Sequence, residues 1–228
     1  MTDDFEQRAK ELEEMPPRDH ALVVGMAALQ AVPVIGGVVA TFISEYVPRK
    51  KQERLVEFVQ DLSREFEAER ERIDGDFVHT KDFDRMVEDV LDRVQTVRNE
   101  DKLGYWAALL AGVATTSRPN QSDRDRMIET LDGLRSEHLR LLHVIATTST
   151  GRPGLYMGGV SDTLNWQMPD VPQDEVRRRW SELNRFDLVG PYPEGTMTAE
   201  GAGNLTVRLS SHGREFVRLL RLESGYQD

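Results

Sequence analysis

Cysteine is absent from the 228 residues. That single absence excludes disulfides, thiolate nucleophiles and cysteine-ligated zinc. Lysine is scarce as well: the 29 basic residues are 24 Arg and 5 Lys, a bias we read as the codon usage of a GC-rich genome. Positive charge as a whole is in deficit, with 40 acidic residues giving a net charge of −11. A field of that sign repels polyanions at long range, so contact with nucleic acid requires a locally concentrated basic surface. The acidic amino terminus lacks the basic start and small-residue cleavage motif of a signal, so neither a cleavable signal nor a targeting peptide is expected. What is present, 39% apolar and 30% charged residues, predicts a folded soluble chain with one large or two small domains.

The charge is distributed unevenly. From Leu134 to the end there are 11 Arg, no Lys and 12 acids, a net of −1; residues 1 to 133 hold 18 basic and 28 acidic residues, a net of −10. This asymmetry predicts two modules, 1–133 and 134–228.

In the first module Phe5, Ala9 and Leu12 recur at helical spacing until Pro16-Pro17 stops the helix. Ala21 to Ser44 is a run of 24 uncharged residues interrupted by Pro33 and Gly36-Gly37. At about 1.5 Å per residue an unbroken helix of that length would reach roughly 36 Å, enough for a hydrocarbon core of about 30 Å. The interruption leaves two halves too short to span alone. Three readings stay open: a buried apolar hairpin within a helical bundle, a hairpin or peripheral element that engages membrane or another subunit, and a single span. In the second, Val34, Ile35, Val38, Val39 and Phe42 supply the apolar contact, and Arg49, Lys50, Lys51 and Arg54 meet anionic lipid. Beyond Pro48 the spacing predicts helices over about 49–73, 80–97, 103–116 and 122–132, with Thr80 and Ser122 as caps and Asp74-Gly75-Asp76 as a turn. The first 133 residues therefore read as an all-α bundle.

The second module reads as a helix from Ser136, a loop from Thr147 to Gly154, a short helix over 160–167 and a third helix from Pro172 through Phe186. An apolar run at Leu188-Val189-Gly190, a Gly/Pro-rich tip over 191–204 and the alternating Leu205-Thr206-Val207-Arg208-Leu209 follow, predicting a β-hairpin. A last helix starts at the serine cap Ser210. Three helices, a hairpin with a long tip and a closing helix form the order of a winged helix-turn-helix domain. The fold expectation is thus mainly α: a helical bundle with a buried apolar hairpin, then a winged helix-turn-helix domain with a small β-hairpin.

Two resemblances add to this. The segments Glu175 to Val189 and Val207 to Phe216 resemble the third helix with its exit and the "strand, Ser/Thr, x, x, Gly, x, x, Phe" ending of winged-helix domains. Val32-Pro33-Val34-Ile35-Gly36-Gly37, Ile43 to Arg54, and Asn99-Glu100-Asp101-Lys102 leading into Trp106 to Ala111 are similar to poorly characterised bacterial proteins like the abortive-infection alpha family. That likeness implies a link to anti-phage defence and carries over no catalytic residue.

Catalytic and metal-binding constellations are not expected. His138 and His143, five apart, fall on different faces of a helix, and His138 near a helix start and His212 in a turn read as structural or surface groups. Asp74-x-Asp76 and Asp82-x-Asp84 lack the glycine and terminal glutamate of a calcium loop. Gly201-x-Gly203 precedes a predicted strand, so no phosphate loop is indicated. No cofactor is expected. Arg177, Arg178, Arg179, Trp180 and Arg185 are the candidate partner or nucleic-acid contacts, although the tip over 191–203 carries Glu194 and Glu200 and no basic residue. The expected function is non-enzymatic partner binding in a bacterial stress or anti-phage response, with a protein partner or self-association as a homo-oligomer. The alternative is a DNA-binding winged-helix regulator whose helical half senses a signal or dimerises. A cytoplasmic location is expected, with a peripheral position at the inner membrane face left open.

Overall fold

Leu55, Phe58, Val59, Leu62 and Phe66 recur at three- and four-residue steps, and in the computed structural model all five are buried along helix α1, Gln52–Ala68. The structure describes residues 52–97, 102–151, 153–154 and 156–223. The helix expected near the amino terminus and the apolar run 21–44 lie outside these, as do Val34, Ile35, Val38, Val39, Phe42, Arg49, Lys50 and Lys51. Among the described residues the chain is mainly α, with a single two-stranded antiparallel sheet.

In the first part, α2 spans Lys81–Thr96 and begins at the expected cap: the Thr80 hydroxyl accepts from the Phe83 N–H. Asp82 and Asp84 in its first turn complement the helix dipole, while Phe83, Met86, Val87, Val90, Leu91 and Val94 are buried. Helix α3, Leu103–Val113, is apolar almost all round and correspondingly buried on nearly every face; it packs chiefly against α1. The turn at Asp74 joins the two ends of this assembly. Its carboxylate accepts from the N–H groups of Asp76 and Phe77, both at 3.1 Å, and from the Arg118 guanidinium, which also lies 4.1 Å from the Phe77 ring centroid. The Arg118 hydrogen bond, followed by that from the Phe77 amide, holds the Asp74 carboxyl below the usual carboxylate range. Asp74 and Asp76 are thus turn residues, as expected.

The chain divides into compact units after Asn120, not after Gly133. Helix α4, Gln121–Gly133, therefore belongs to the second unit. Gly133 lies so close to Phe186 that a Cβ there would sit 2.6 Å from the ring, and Arg126 pairs with Asp187 at 3.1 Å. Ser122 lies inside this helix instead of capping it.

The second unit continues with α5 (Ser136–Thr147), β1 (Met157–Gly158), α6 (Val160–Gln167), α7 (Gln173–Arg185), β2 (Met197–Thr198), α8 (Ala199–Gly203) and α9 (Ser211–Leu219). The helix order and a small two-stranded antiparallel sheet agree with expectation, but the strands are not the expected ones. Thr206–Arg208 is a 3-10 turn, and the two expected strands meet only at the bridge Val189↔Leu209. The reason is tertiary: the Leu205 N–H donates to the Thr148 carbonyl at the end of α5 at 2.9 Å, and a tight turn buries Leu205 and Leu209 while leaving Val207 exposed. The ladder that does form pairs Met157 with Thr198 and Gly158 with Met197. The expected tip holds β2 and α8, the latter capped by the Thr198 hydroxyl accepting from the Gly201 N–H.

Helix α9 starts at its expected cap, the Ser210 hydroxyl accepting from the Gly213 N–H at 2.8 Å. Gly213 is required there for another reason: a Cβ would stand 1.8 Å from the Leu188 carbonyl oxygen. Gly213→Ala is expected to destabilise the second unit by about 2–4 kcal/mol. Urea denaturation measures this, and a midpoint equal to the parent's would refute the close approach.

Candidate functional site

The sequence directs attention to α7, whose buried face consists of Val176, Trp180 and Leu183. That face dictates what the arginines can do. Trp180 is fully buried, and its indole N–H donates to the Gly190 carbonyl at 2.9 Å. It is a core residue and not a contact surface, because the four- and three-residue spacing from Val176 to Leu183 points it inward.

Arg177, Arg178 and Arg179 fan around the outer part of the helix and are all engaged by carboxylates. Arg177 donates from Nη1 to Glu194 Oε1 at 2.7 Å, and its guanidinium carbon lies 4.7 Å from the Tyr192 ring centroid. Arg178 grips both oxygens of Glu175, Nη2 to Oε1 at 2.6 Å and Nε to Oε2 at 3.1 Å. Arg179 adds its Nε to Glu175 Oε1 at 2.9 Å. Hydrogen bonding from Arg178, then from Arg179, holds the Glu175 carboxyl below its ordinary range. Arg185 is exposed in the last turn of the helix. Arg54 lies within α1, in the other unit.

The histidines take structural places. The Arg135 N–H donates to His138 Nδ1 at 3.0 Å, which leaves Nε2–H to donate to Glu182 Oε2 at 2.5 Å and tie α5 to α7. His143 Nδ1–H donates to the Leu222 carbonyl at 2.6 Å. The two rings thus have separate partners. Among the described residues no group of three or more metal-ligating side chains converges.

Two features were not legible in the sequence. Tyr192 is the platform beneath Arg177 and meets the buried Trp180 edge-on at 5.4 Å; the only signal was an aromatic between two prolines. Of the large apolar side chains exposed among the described residues, Tyr156 (90%), Met157 (64%) and Trp166 (45%) come from one short stretch that enters and forms α6.

No family model matches the chain, and no solved structure does. A stretch of 67 residues is 34% identical to part of the ATP-dependent RNA helicase RhlB of Pseudomonas syringae pv. tomato. It comprises 29% of this chain and 16% of the helicase, so the helicase's activity belongs to that protein.

His212, in the first turn of α9, is buried with no partner at Nε2. Burial, followed by the charge of Arg126, pushes its pKa below the ordinary value, against smaller opposing effects of Asp187 and Asp123. In the unfolded chain the ring takes up a proton as pH falls through about 6.5, whereas the folded ring resists until lower pH. The unfolded state then holds more protons, so stability is unaffected by this ring well above about 6.5 and declines below it. His212→Gln is expected to show a shallower loss of stability than the parent between about pH 7 and pH 5 in urea titrations. Parallel losses would contradict this role.

Proposed function

We propose that this chain is a non-enzymatic, partner-binding protein of a bacterial stress or anti-phage response, whose second unit is a winged-helix-like module that joins protein to protein. The observation that carries the reading is the exposure of Tyr156, Met157 and Trp166 within one stretch. Aromatic residues and methionine are enriched where proteins meet, since they offer large contact area at low rotamer cost. The order α5, α6, α7, bridge, α9 supports the module's assignment, and the resemblance to proteins like the abortive-infection alpha family supports the setting.

A phosphate-reading role for α7 is less well supported. Arg177, Arg178 and Arg179 already face Glu175 and Glu194, and the loop after α7 adds no cation. In the proposal, the run 21–44 with the basic residues after it engages a membrane surface or a second subunit. Among the described residues no helix is long and apolar enough to cross a membrane.

A second copy of the chain is the first partner to test. Sedimentation equilibrium of the full chain is expected to show reversible self-association, weakened about tenfold or more in Tyr156→Ser/Trp166→Ser at unchanged secondary structure. A monomer at every concentration, or equal association by the variant, would overturn the reading.

A further inference from the structure

The geometry points to the outer face of α7 as a receptor for a carboxylate-rich peptide segment, occupied in the free protein by Glu194 as an internal stand-in. This deepens the protein-binding reading and rests on it. Arg177 is held from below by layers that do not involve Glu194: Trp180 in the core, Tyr192 edge-on to it at 5.4 Å, and the guanidinium over Tyr192 at 4.7 Å. The guanidinium therefore keeps its orientation when the carboxylate leaves. Glu194 itself is attached loosely. Its side chain is 70% exposed and Arg177's is 44% exposed, and a pair that open to water contributes little stability.

The chemistry of the face's present partners names the ligand. Arg177 pairs with Glu194, and Arg178 and Arg179 both pair with Glu175, while Glu182 and Glu137 act on Arg178, and Asp170 on Arg179, from further off. Each guanidinium offers five N–H donors in a planar fork suited to carboxylate oxygens. Displacement of Glu194 opens the Arg177 fork to another carboxylate, while Arg178 and Arg179 stay on Glu175. Glu194 rides on the loop between Gly190 and β2, beside Gly195 at φ +87, so the stand-in belongs to a turn and not to a helix or strand. Glu182 lies one turn beyond Arg178 on α7 and is engaged by His138; it limits the anionic ligand to the amino-terminal half of the helix.

The test uses the full chain and fluorescently labelled deca-glutamate, read by anisotropy at low salt. Glu194→Gln is expected to bind the peptide about two- to fivefold more tightly than the parent, the worth of one exposed ion pair. Adding Arg177→Ala to Glu194→Gln is expected to abolish that gain. Glu88→Gln removes the same charge from the exposed side of α2 and is expected to leave affinity at the parent's value. No gain in Glu194→Gln, or an equal gain in Glu88→Gln, would overturn the proposal. So would a larger gain for a random DNA duplex than for the peptide, which would make the face a phosphate site. Tyr156→Ser/Trp166→Ser is expected to bind the peptide like the parent, so loss of self-association and failure of this proposal are separately visible.

Discussion

The second unit depends on the exit of α7, where five successive residues, Phe186 to Gly190, are each tied to α4, α7, α9 or the turn before α9. Phe186 fills the space left by Gly133 at the end of α4. Asp187 turns the chain in the left-handed region at φ 54, and its carbonyl accepts from the Ser210 hydroxyl. The Leu188 N–H donates to the Leu183 carbonyl at 3.0 Å, while its own carbonyl accepts from the Ser210 N–H and abuts Gly213. The Val189 carbonyl accepts from Asn184, and Gly190 both donates to Arg208 and accepts from Trp180. Backbone polar groups in a buried corner must be paired, and here their pairing brings α4, α7, the 206–208 turn and α9 to a common point.

That corner also determines what α7 can present outward. With Val176, Trp180 and Leu183 committed to the core, Arg177, Arg178 and Glu194 are left to solvent and Arg179 and Glu175 to its edge, where they pair with one another. The same layering that makes Trp180 unavailable to a partner makes Tyr192 a rigid support for Arg177. A core residue that sequence alone suggests as a contact thus acts on the surface through a second aromatic. The first unit is organised differently, by the nearly uniform apolarity of α3 and by the Asp74 turn that bridges Ile73 to Thr115.

Helices were legible because apolar residues recur at three and four, as from Leu55 to Phe66 or from Phe83 to Val94, and because Thr80 and Ser210 are good caps. The strand expected at 205–209 is a turn instead, because the alternation of Leu205, Val207 and Leu209 equally suits a 3-10 turn that buries both leucines. Both α7 and α9 end in the hydrogen-bond pattern in which the third residue past the helix reaches back to its last turn, but Asp187 and Arg221, the second residues past, occupy the left-handed position instead of glycine. Those stops therefore left no glycine signal. Glu194 was visible as an acid in the loop, but its pairing with Arg177, 17 residues away, is set by a loop path that no local pattern encodes. The division after Asn120 likewise depends on Gly133 and Phe186 meeting across half the unit.

Native-state hydrogen exchange at the exit of α7 tests the account most directly. The amides of Leu188, Gly190 and Ser210 donate to Leu183, Arg208 and Leu188 at 3.0, 2.8 and 3.0 Å, outside any long helix or ladder. If this corner holds the second unit together, they exchange only on unfolding of the whole unit, as slowly as the central amides of α5 and α7. Exchange at loop-like rates while α5 and α7 stay protected would contradict it.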